Sequence, residues 1–437
     1  MNLNKVKIRI TTSLLAIAMV LLVVSLLSIT PVTASDNTLG IFGNANEDDT
    51  INMQDVTYTE LIILEYKDAT ELADAKYDGE IDVLDMTQIA LIILEREKEL
   101  TILDSEGEAK TISMPVNEIL TLNSDCTEAI RAVGAKDRIV GIESATAEQT
   151  TFFPEISALP SVGAGHIPDL ELVVEMDPDI LIAYAPGIYN PGHTGLEDML
   201  EPAVTVVRLN FYKPETLVED VIKLGYLLGE VENAKNYIQW RAAYVDEVEA
   251  VVSGISEDDK PTVFIDYGSR PGGSTNRMTA ASGTGLHQMC VQAGGINIAA
   301  DLPAGLAPGY PYAELEWILD QEPTVVIGQA SGYNSRGGGY ETDDDGDLEA
   351  YYDEIIGLPG FGEIPAVKSN RIHIMQGEVS GGLADVIGLA YYAEWFHPDL
   401  FDMDAQAIHQ EYIDEFCGID FDVAEHGVFV YPQPVES

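Results

Sequence analysis

LELVVEMDPDILIA, residues 170–183, and LEWILDQEPTVVIG, residues 315–328, carry one pattern at two distant places in the chain. Each copy starts with apolar residues at helical spacing, passes through an acidic residue and a proline, and ends in an aliphatic run. This pattern predicts an amphipathic helix, a turn and a buried strand. Glu171 and Glu316 hold the same position in it, 145 residues apart (316 − 171 = 145). The repeat therefore predicts two related halves within one chain.

The segments around the two copies alternate strand and helix patterns, which favours parallel α/β layers. The predicted strands are short and rich in β-branched residues: Arg138–Ile142, Asp179–Tyr184, Thr205–Arg208, Thr262–Tyr267, Thr324–Gly328 and Arg371–Met375. The predicted helices of these layers are Thr127–Val133, Gly285–Ala293 and about Leu383–Phe396. We therefore predict an α/β fold of two Rossmann-like lobes. The ligand crevice of such sheets lies at the carboxyl ends of the strands.

A long helical region separates the two halves. Pro214 suits a first helical position, and apolar residues follow at helical spacing from Leu217 to Leu228. After Gly229 a second helix is predicted over about Val231–Val252. The resulting boundaries are a first lobe over residues 115–212, connecting helices over 214–254 and a second lobe over 260–437.

The charge balance of the chain is extreme. Its 437 residues, enough for two or three domains, carry 74 Asp and Glu against 22 Lys and Arg, a net charge of −52. Such a chain would repel phosphate, which excludes nucleic acid as a partner. The three cysteines, Cys126, Cys290 and Cys417, form no CxxC motif and are expected to be small buried hydrophobes. A bridge between Cys126 and Cys290 is the alternative.

The N-terminus resembles a targeting segment. Lys5, Lys7 and Arg9 precede an apolar run over residues 14–29, and Val32-Thr33-Ala34 follows as a cleavage signal. Residues 1–34 are therefore expected to be a signal peptide, cleaved after Ala34. An uncleaved membrane anchor is the alternative, although the run is shorter than the roughly 20 residues of a spanning helix. Either way we expect an exported protein, extracellular or associated with the cell surface.

A short duplication follows this segment. DVTYTELIILE, residues 55–65, returns as DMTQIALIILE, residues 85–95, at a spacing of 30 residues (85 − 55 = 30). Each copy follows an acidic loop of twelve residues, and a twelve-residue calcium loop requires oxygen ligands mostly at its odd positions and at its last. The first loop offers Asn44, Asn46, Asp48, the Thr50 carbonyl, Asn52 and Asp55, and the second offers Asp74, Asp78, Glu80, Asp82 and Asp85.

This duplicated loop and helix resembles a dockerin module, a small all-α domain of the EF-hand type, over residues 39–98. The resemblance implies calcium as a cofactor and a cohesin-containing surface protein as a partner. Two departures weaken it: Asp49 replaces the glycine of the sharp turn in the first loop, and Lys76 places an ammonium at a ligand position of the second. The alternative is a pair of acidic helix N-caps that hold no metal.

The remainder of the chain resembles the substrate-binding proteins of ABC importers for iron chelates, haem and cobalamin. The resemblance rests on TILDSEGEAKTISMPVNEILTL (101–122), TEAIRAVGAKDRIVGI (127–142) and VGAGHIPDLELVVEMDPDILIA (162–183), and it implies one such domain over 115–437. The family implies two lobes joined by a rigid helix, little closure on binding, and no catalysis. It also implies that Glu171 and Glu316 pair with arginines of the permease dimer, whose twofold symmetry requires equivalent acids on both lobes.

Candidate cleft residues come from loops at strand ends. They are His166, Tyr184 and Tyr189 in the first lobe, and Tyr267, Arg270, Arg277, Tyr310, Tyr333 and Arg336 in the second. Arginines on glycine-rich loops of so acidic a chain suggest an anionic ligand held by bidentate contacts, although surface arginines that balance local acid are the alternative. His166 or one of the first-lobe tyrosines could ligate iron or cobalt. The ligand is expected to be an iron chelate, haem or a corrinoid.

Two other functions fit the sequence less well. A surface interaction protein, tethered through residues 39–98, would keep the lobes as a retained receptor. An enzyme that acts on carbohydrate or on metal complexes would need, for example, paired carboxylates across a sugar cleft. The sequence shows no nucleophile–base pair or zinc signature, and its seven histidines are scattered.

Overall fold

A computed structural model describes residues 38–186, 193–269, 276–303, 305, 308–331 and 336–433. The expected signal peptide over 1–34 lies outside these residues. Among the described helices, none combines the length and apolar character needed to cross a membrane.

The helices and strands alternate along most of the chain. The helices are α1 (Met53–Ile63), α2 (Val83–Ile93), α3 (Ser124–Ala132), α4 (Ser144–Glu148), α5 (Leu170–Met176), α6 (Leu196–Leu200), α7 (Leu217–Leu228), α8 (Val231–Val252), α9 (Gly285–Gln292), α10 (Leu315–Gln321), α11 (Gly346–Ile356), α12 (Pro365–Lys368), α13 (Asp385–Phe396) and α14 (Ala405–Tyr412). The strands are β1 (Glu99–Leu103), β2 (Ala109–Ser113), β3 (Ile119–Thr121), β4 (Ile139–Gly141), β5 (Ile180–Ala183), β6 (Thr205–Arg208), β7 (Thr262–Ser269), β8 (Arg277–Thr279), β9 (Ile296–Asn297), β10 (Tyr312–Ala313), β11 (Val325–Ala330), β12 (Ile372–Gln376) and β13 (Val430–Tyr431).

Two sheets form the α/β halves, as the alternation of patterns predicts. The first has the order β4-β3-β5-β6 and is wholly parallel. The second has the order β10-β8-β7-β11-β12-β13, with a parallel centre of β7, β11 and β12 and antiparallel strands towards both edges. The central strand β11 is buried along its whole length, as its near-continuous apolar sequence requires.

The repeated pattern has the same structure in both halves. Helices α5 and α10 each span seven residues and end in a left-handed residue, Asp177 (φ 49°) and Glu322 (φ 47°). A proline follows each of these residues and directs the chain into β5 or β11. Glu171 and Glu316 both lie exposed in the first helical turn.

Helices α7 and α8 lie between the two sheets in the chain. Gly229, in the left-handed region at φ 63°, separates them, and α8 extends for 22 residues. Along α8, the Asn233 amide donates to the Val133 carbonyl of the first half (3.1 Å), and the Tyr237 hydroxyl donates to the Leu383 carbonyl of the second (2.8 Å). This helix therefore contacts both halves.

Two local expectations need correction. Helix α7 begins at Leu217 with Thr216 as its N-cap residue, so the expectation that Pro214 opens the helix was wrong. Cys126 and Cys290 are both free, and the bridge considered between them is absent. All three cysteines are buried, as expected of small hydrophobic residues.

Candidate functional site

A cavity of about 1040 Å³ lies where the carboxyl ends of the second sheet meet the first half. Strand β7 contributes Tyr267, β11 ends in Gln329, and the segment after β12 contributes Ser380. The first half contributes residues 212–215, which follow β6, and α9 closes another side. The topology therefore places the cavity at the strand ends where parallel sheets bind ligands.

Two predicted cleft residues line this cavity. The rings of Tyr267 and Tyr310 meet edge to face, with centroids 5.3 Å apart at 88°. Burial raises the pKa of both phenols, so both are neutral at physiological pH and offer hydroxyl groups and ring faces rather than charge.

Tyr184 supports the wall from behind. Its ring packs against that of Tyr212, which lines the cavity, with centroids 4.6 Å apart, and its hydroxyl donates to Asp125. His166 is exposed and lines neither this cavity nor the smaller one beside it. Tyr189, Arg270 and Tyr333 lie outside the described residues.

The two described arginines of the predicted set are engaged by carboxylates of the protein itself. Arg277 is buried and pairs with Asp266 at 2.6 Å and with Glu354 at 2.6 Å. Arg336 pairs with Glu354 at 2.7 Å and lies over the Tyr351 ring, 3.5 Å from its centroid. Asp266 is itself fully buried, and a buried carboxylate needs such a partner. These arginines therefore hold β7, β8 and α11 together and do not line the cavity.

The cavity wall is largely apolar, with Met278, Leu286, Met289 and Leu389 among its residues, and it carries neutral polar groups that the sequence reasoning missed. Among the described residues of the wall are the amides of Gln288, Gln292 and Gln329 and several hydroxyl groups. Gln288 and Gln292 stand one helical turn apart on α9, a spacing visible in the sequence. The sequence offered no signal that this face of α9 turns towards the first half.

Charges in the described wall are few. They are Lys213, Glu215 and Asp385. Asp385 accepts a bidentate pair of hydrogen bonds from Arg241 of α8, at 2.9 and 2.5 Å, and Glu215 accepts a hydrogen bond from Gln288. The described wall is therefore close to neutral.

A smaller cavity of about 200 Å³ adjoins the first and shares Tyr212 with it. It is acidic: Asp125 and Glu128 come from α3 of the first half, and Glu378 comes from the segment after β12. Burial, reinforced by the charges of Asp125 and Glu378 and opposed by Arg131, raises the pKa of Glu128 to about 7. Burial, reinforced by the charge of Glu341, raises the pKa of Glu378 to about 7.

Beside the acidic cavity the two halves are held together directly. The Glu341 carboxylate accepts hydrogen bonds from the backbone amides of Thr151 (2.7 Å) and Phe152 (3.2 Å). The Phe152 ring stacks on Tyr340, with centroids 4.2 Å apart at 13°, and the Arg131 guanidinium lies 4.1 Å from the centroid of its ring. This contact fixes the two halves at one end of the seam between them.

The two acidic loops near the N-terminus share one hydrogen-bond pattern. Asp55 accepts from the backbone amides of Asn46 and Asn52, at 3.2 and 2.8 Å. Asp85 accepts from those of Lys76 and Asp82, at 3.0 and 2.8 Å. Each donor of the second loop lies 30 residues after its counterpart in the first, so the duplication extends to the loop geometry.

The loops differ in their side chains. In the first, the Asn44 amide nitrogen donates to two carbonyl oxygens, and its Oδ1 atom is buried without a hydrogen-bond partner among the described residues. In the second, the Lys76 ammonium pairs with Asp78 at 3.4 Å. No group of three or more His, Cys, Asp or Glu side chains in the described part of the chain is arranged to hold a metal ion.

A cavity between two α/β halves, at the carboxyl ends of parallel strands, defines the class of two-lobed ligand-binding proteins. Residues 119–379, more than half of the chain, match the family model described as periplasmic binding protein. The chain belongs to this family.

Curated relatives share this part of the chain. The cobalamin-binding protein of Halobacterium salinarum is 25% identical over 229 residues, or 51% of this chain and 57% of the relative. The match thus spans less than two thirds of that relative. YvrC of Bacillus subtilis, an uncharacterised ABC transporter substrate-binding lipoprotein, is 22% identical over 305 residues, or 69% of this chain and 87% of the relative.

Solved structures show the same fold. The TroA-like periplasmic binding protein FepB from Veillonella parvula superposes with a TM-score of 0.63 at 19% identity, covering 76% of this chain and 98% of that one. MolA of Haemophilus influenzae, bound to molybdate, superposes with a TM-score of 0.57 at 18% identity, covering 74% of this chain and 98% of MolA.

The acidic cavity predicts a pH dependence of stability. Between about pH 4.5 and 7, folded Glu128 and Glu378 retain protons that the unfolded chain has released, so the free energy of unfolding should fall as the pH rises through this window. Asp220 and Glu394, with pKa values raised to about 6 and about 7, act in the same direction. We expect the free energy of unfolding, measured by urea unfolding at several pH values from 5 to 8, to fall less steeply with pH in Glu128→Gln and in Glu378→Gln than in the parent protein.

The exposed Glu425 supplies a matched control, because Glu425→Gln should keep the parental slope. A double variant, Glu128→Gln with Glu378→Gln, that also keeps the parental slope would show that neither carboxylate holds a proton in the folded state.

Proposed function

We propose that the protein is the exported substrate-binding component of an ABC importer, which captures a metal complex between its lobes and delivers it to the permease without catalysing a reaction. The observation that carries this proposal is the cavity of about 1040 Å³ at the strand ends of a chain that belongs to the periplasmic binding protein family. Helix α8, in contact with both halves, and the Glu341 contact beside the seam would limit closure on binding.

Within the expected ligands we propose a corrinoid. Its edge carries many neutral amides, which suit a described wall of glutamines, hydroxyls and neutral tyrosines. An anionic iron chelate would need several uncompensated cations, yet Arg277 and Arg336 pair with carboxylates of the protein. Lys213 is the one cation among the described wall residues, which also include Glu215 and Asp385. The Halobacterium salinarum relative, named as a cobalamin-binding protein, supports the same ligand class.

Ligand titrations test this proposal. Cobalamin should bind and quench the intrinsic fluorescence, whereas haem and ferric citrate should bind at least about tenfold more weakly. Tyr310→Ala should weaken cobalamin binding about tenfold, because it removes a ring and a hydroxyl from the wall. Tyr66→Ala, at a site 77% exposed in the N-terminal module, should leave binding unchanged. Tighter binding of haem or ferric citrate than of cobalamin would overturn the corrinoid assignment.

We further propose that Glu171 and Glu316 dock the two lobes onto arginines of the permease dimer. Their support is that both are exposed, in the first turn of helices with the same length and the same left-handed end. Equivalent acids on two lobes suit a partner with twofold symmetry.

Charge reversal tests the docking proposal. Glu171→Lys and Glu316→Lys should each reduce ligand uptake into vesicles that hold the cognate permease, and the double variant should reduce it further, with ligand affinity unchanged. Glu175→Lys and Asp320→Lys, exposed on the same two helices, are matched controls and should have little effect. Equal losses of uptake in the control and docking variants would show that uptake depends on the net charge of the protein and not on Glu171 and Glu316, which would contradict the docking proposal.

A second function, surface tethering, is favoured by the N-terminal module over residues 39–98. Large apolar side chains are exposed there at positions related by the 30-residue spacing, Met53 with Val83 and Leu64 with Leu94. Exposed apolar patches mark interaction sites. We propose that this surface binds a cohesin-type partner, as the dockerin resemblance implies.

The same proposal includes calcium in the first loop. Asn44, Asn46, Asp48, the Thr50 carbonyl, Asn52 and Asp55 would hold it, and the buried Oδ1 of Asn44, without a hydrogen-bond partner among the described residues, would be one of the ligands. Calcium would supply structural charge compensation and no catalysis. The second loop, with Asp74, Asp78, Glu80, Asp82 and Asp85, fits less well, because the Lys76 ammonium already pairs with Asp78.

Binding of a purified cohesin module tests the tethering function. Met53→Asp combined with Val83→Asp should weaken that binding at least about tenfold, because both changes place charge in an apolar contact. Ile296→Asp, an exposed apolar position of the second lobe, is the control. No measurable binding of any cohesin by the parent protein, with calcium present, would contradict the tethering function.

A further inference from the structure

The N-terminal module, residues 39–98, packs directly against the first lobe of the binding domain (the receptor). The short segment 40–42 pairs with β1: the Phe42 amide donates to the Thr101 carbonyl (2.9 Å), and the Leu103 amide donates to the Gly40 carbonyl (2.7 Å). Residues of the module and of the first lobe share one hydrophobic core cluster, which includes Leu39, Ile41, Ile51, Leu100, Ile102, Val221, Tyr226 and Leu227. Removal of residues 39–98 would therefore expose apolar surface of the lobe.

The first acidic loop makes the polar part of this contact, and its partner is helix α7. The Ile51 amide, within the loop, donates to the Tyr226 hydroxyl at 3.3 Å. Just before the loop, the Gly40 amide donates to the Glu219 carboxylate at 3.0 Å, and Glu219 pairs with the buried Lys223 at 2.8 Å. Two side chains on one face of α7, Glu219 and Tyr226, thus bind the segment from Gly40 to Ile51, and Lys223 holds Glu219 in place.

The second loop has no equivalent attachment in the described structure. Residues 76–80 are all exposed, and Ile81, the counterpart of Ile51, is only partly buried. Its ligand position 76 carries an ammonium that pairs with Asp78. The first loop therefore packs on the first lobe, whereas residues 76–80 of the second loop face solvent.

The attached loop also shows a need for a cation. The Asn44 amide is oriented by two carbonyl acceptors, of Leu39 and Asp48, so its unpartnered Oδ1 cannot be exchanged with the nitrogen. Asp55 is fully buried, and among the described residues no lysine or arginine forms an ion pair with it. A buried carboxylate without a compensating charge, and a buried carbonyl oxygen without a hydrogen-bond partner, are costly unless a cation binds them.

We propose that a divalent cation in the first loop is the clasp that holds the N-terminal module on helix α7, and thereby stabilises the first lobe. This inference rests on the calcium site proposed above and adds its consequence for the receptor. Because the loop backbone binds both the cation and Tyr226, cation occupancy and docking on α7 favour each other by linkage. The exposed second loop contributes little to this coupling.

Hydrogen exchange of the full chain with calcium and with a chelator tests the clasp. Calcium should slow amide exchange in residues 99–103 and 217–228 about tenfold, since their opening is linked to release of the loop. Asp48→Asn should lose this protection and weaken calcium binding at least about tenfold, because the loop loses a charged ligand. Asp78→Asn, the same change 30 residues later, should keep the protection of both segments.

Tyr226→Phe separates the clasp from the metal site. This variant keeps every proposed ligand but loses the hydrogen bond to the loop, so calcium should still bind, with lower affinity, and should protect 217–228 less than in the parent protein. Isothermal titration supplies the second readout. No calcium binding by the parent protein would overturn the proposed site; calcium binding with unchanged exchange in 99–103 and 217–228 would overturn the clasp alone.

Discussion

Positive charge is the scarce resource of this protein. The chain has only 22 lysines and arginines against 74 acidic residues. Its buried arginines form structural contacts. Arg208 is fully buried: it pairs with Glu197 at 2.7 Å and donates to the carbonyls of Tyr184 and His193. Arg241 joins α8 to Asp385 of α13 in the same way. Each of these guanidiniums pairs with an acid, partly buried Glu197 or buried Asp385, and connects two segments of the fold.

The same scarcity determines the character of the cavities. Arg277 and Arg336 are engaged by carboxylates in the second half, so neutral amides and phenols are the main polar groups of a largely apolar described wall. Such a wall suits a ligand held by apolar contacts, ring contacts and a few hydrogen bonds. Between the two halves, three acids face the small cavity, and burial raises the pKa of two of them, Glu128 and Glu378, to about 7. In the first N-terminal loop, Asp55 is buried and forms no ion pair with a lysine or arginine of the described residues, and we place an external cation there.

Much of the fold could be predicted from the sequence, because its signals are local. The repeated pattern gives both helices and strands, and Val231–Val252 and Thr205–Arg208 have the predicted bounds. Pro214 was misplaced, because its fixed φ suits a loop before a helix as well as a first turn. The cavity wall was predicted only in part. Tyr267 and Tyr310 follow from their places near strand ends, whereas the pairing of Arg277 with Asp266 depends on tertiary contacts that no spacing reveals.

The two duplications of this chain have diverged in the same sense. In the 145-residue repeat, the outward positions of Glu171 and Glu316 remain equivalent, while the second half supplies most of the described cavity wall. In the 30-residue repeat, Met53 and Val83 remain equivalent and exposed, whereas Ile51 is buried and Ile81 is only partly buried. A buried contact requires packing residues in only one copy of a repeat, so the residues at the same positions of the other copy can differ. An exposed surface retains equivalent residues in both copies when its partner contacts the two copies together. We therefore place the permease and the surface partner at the equivalent exposed positions of the two repeats.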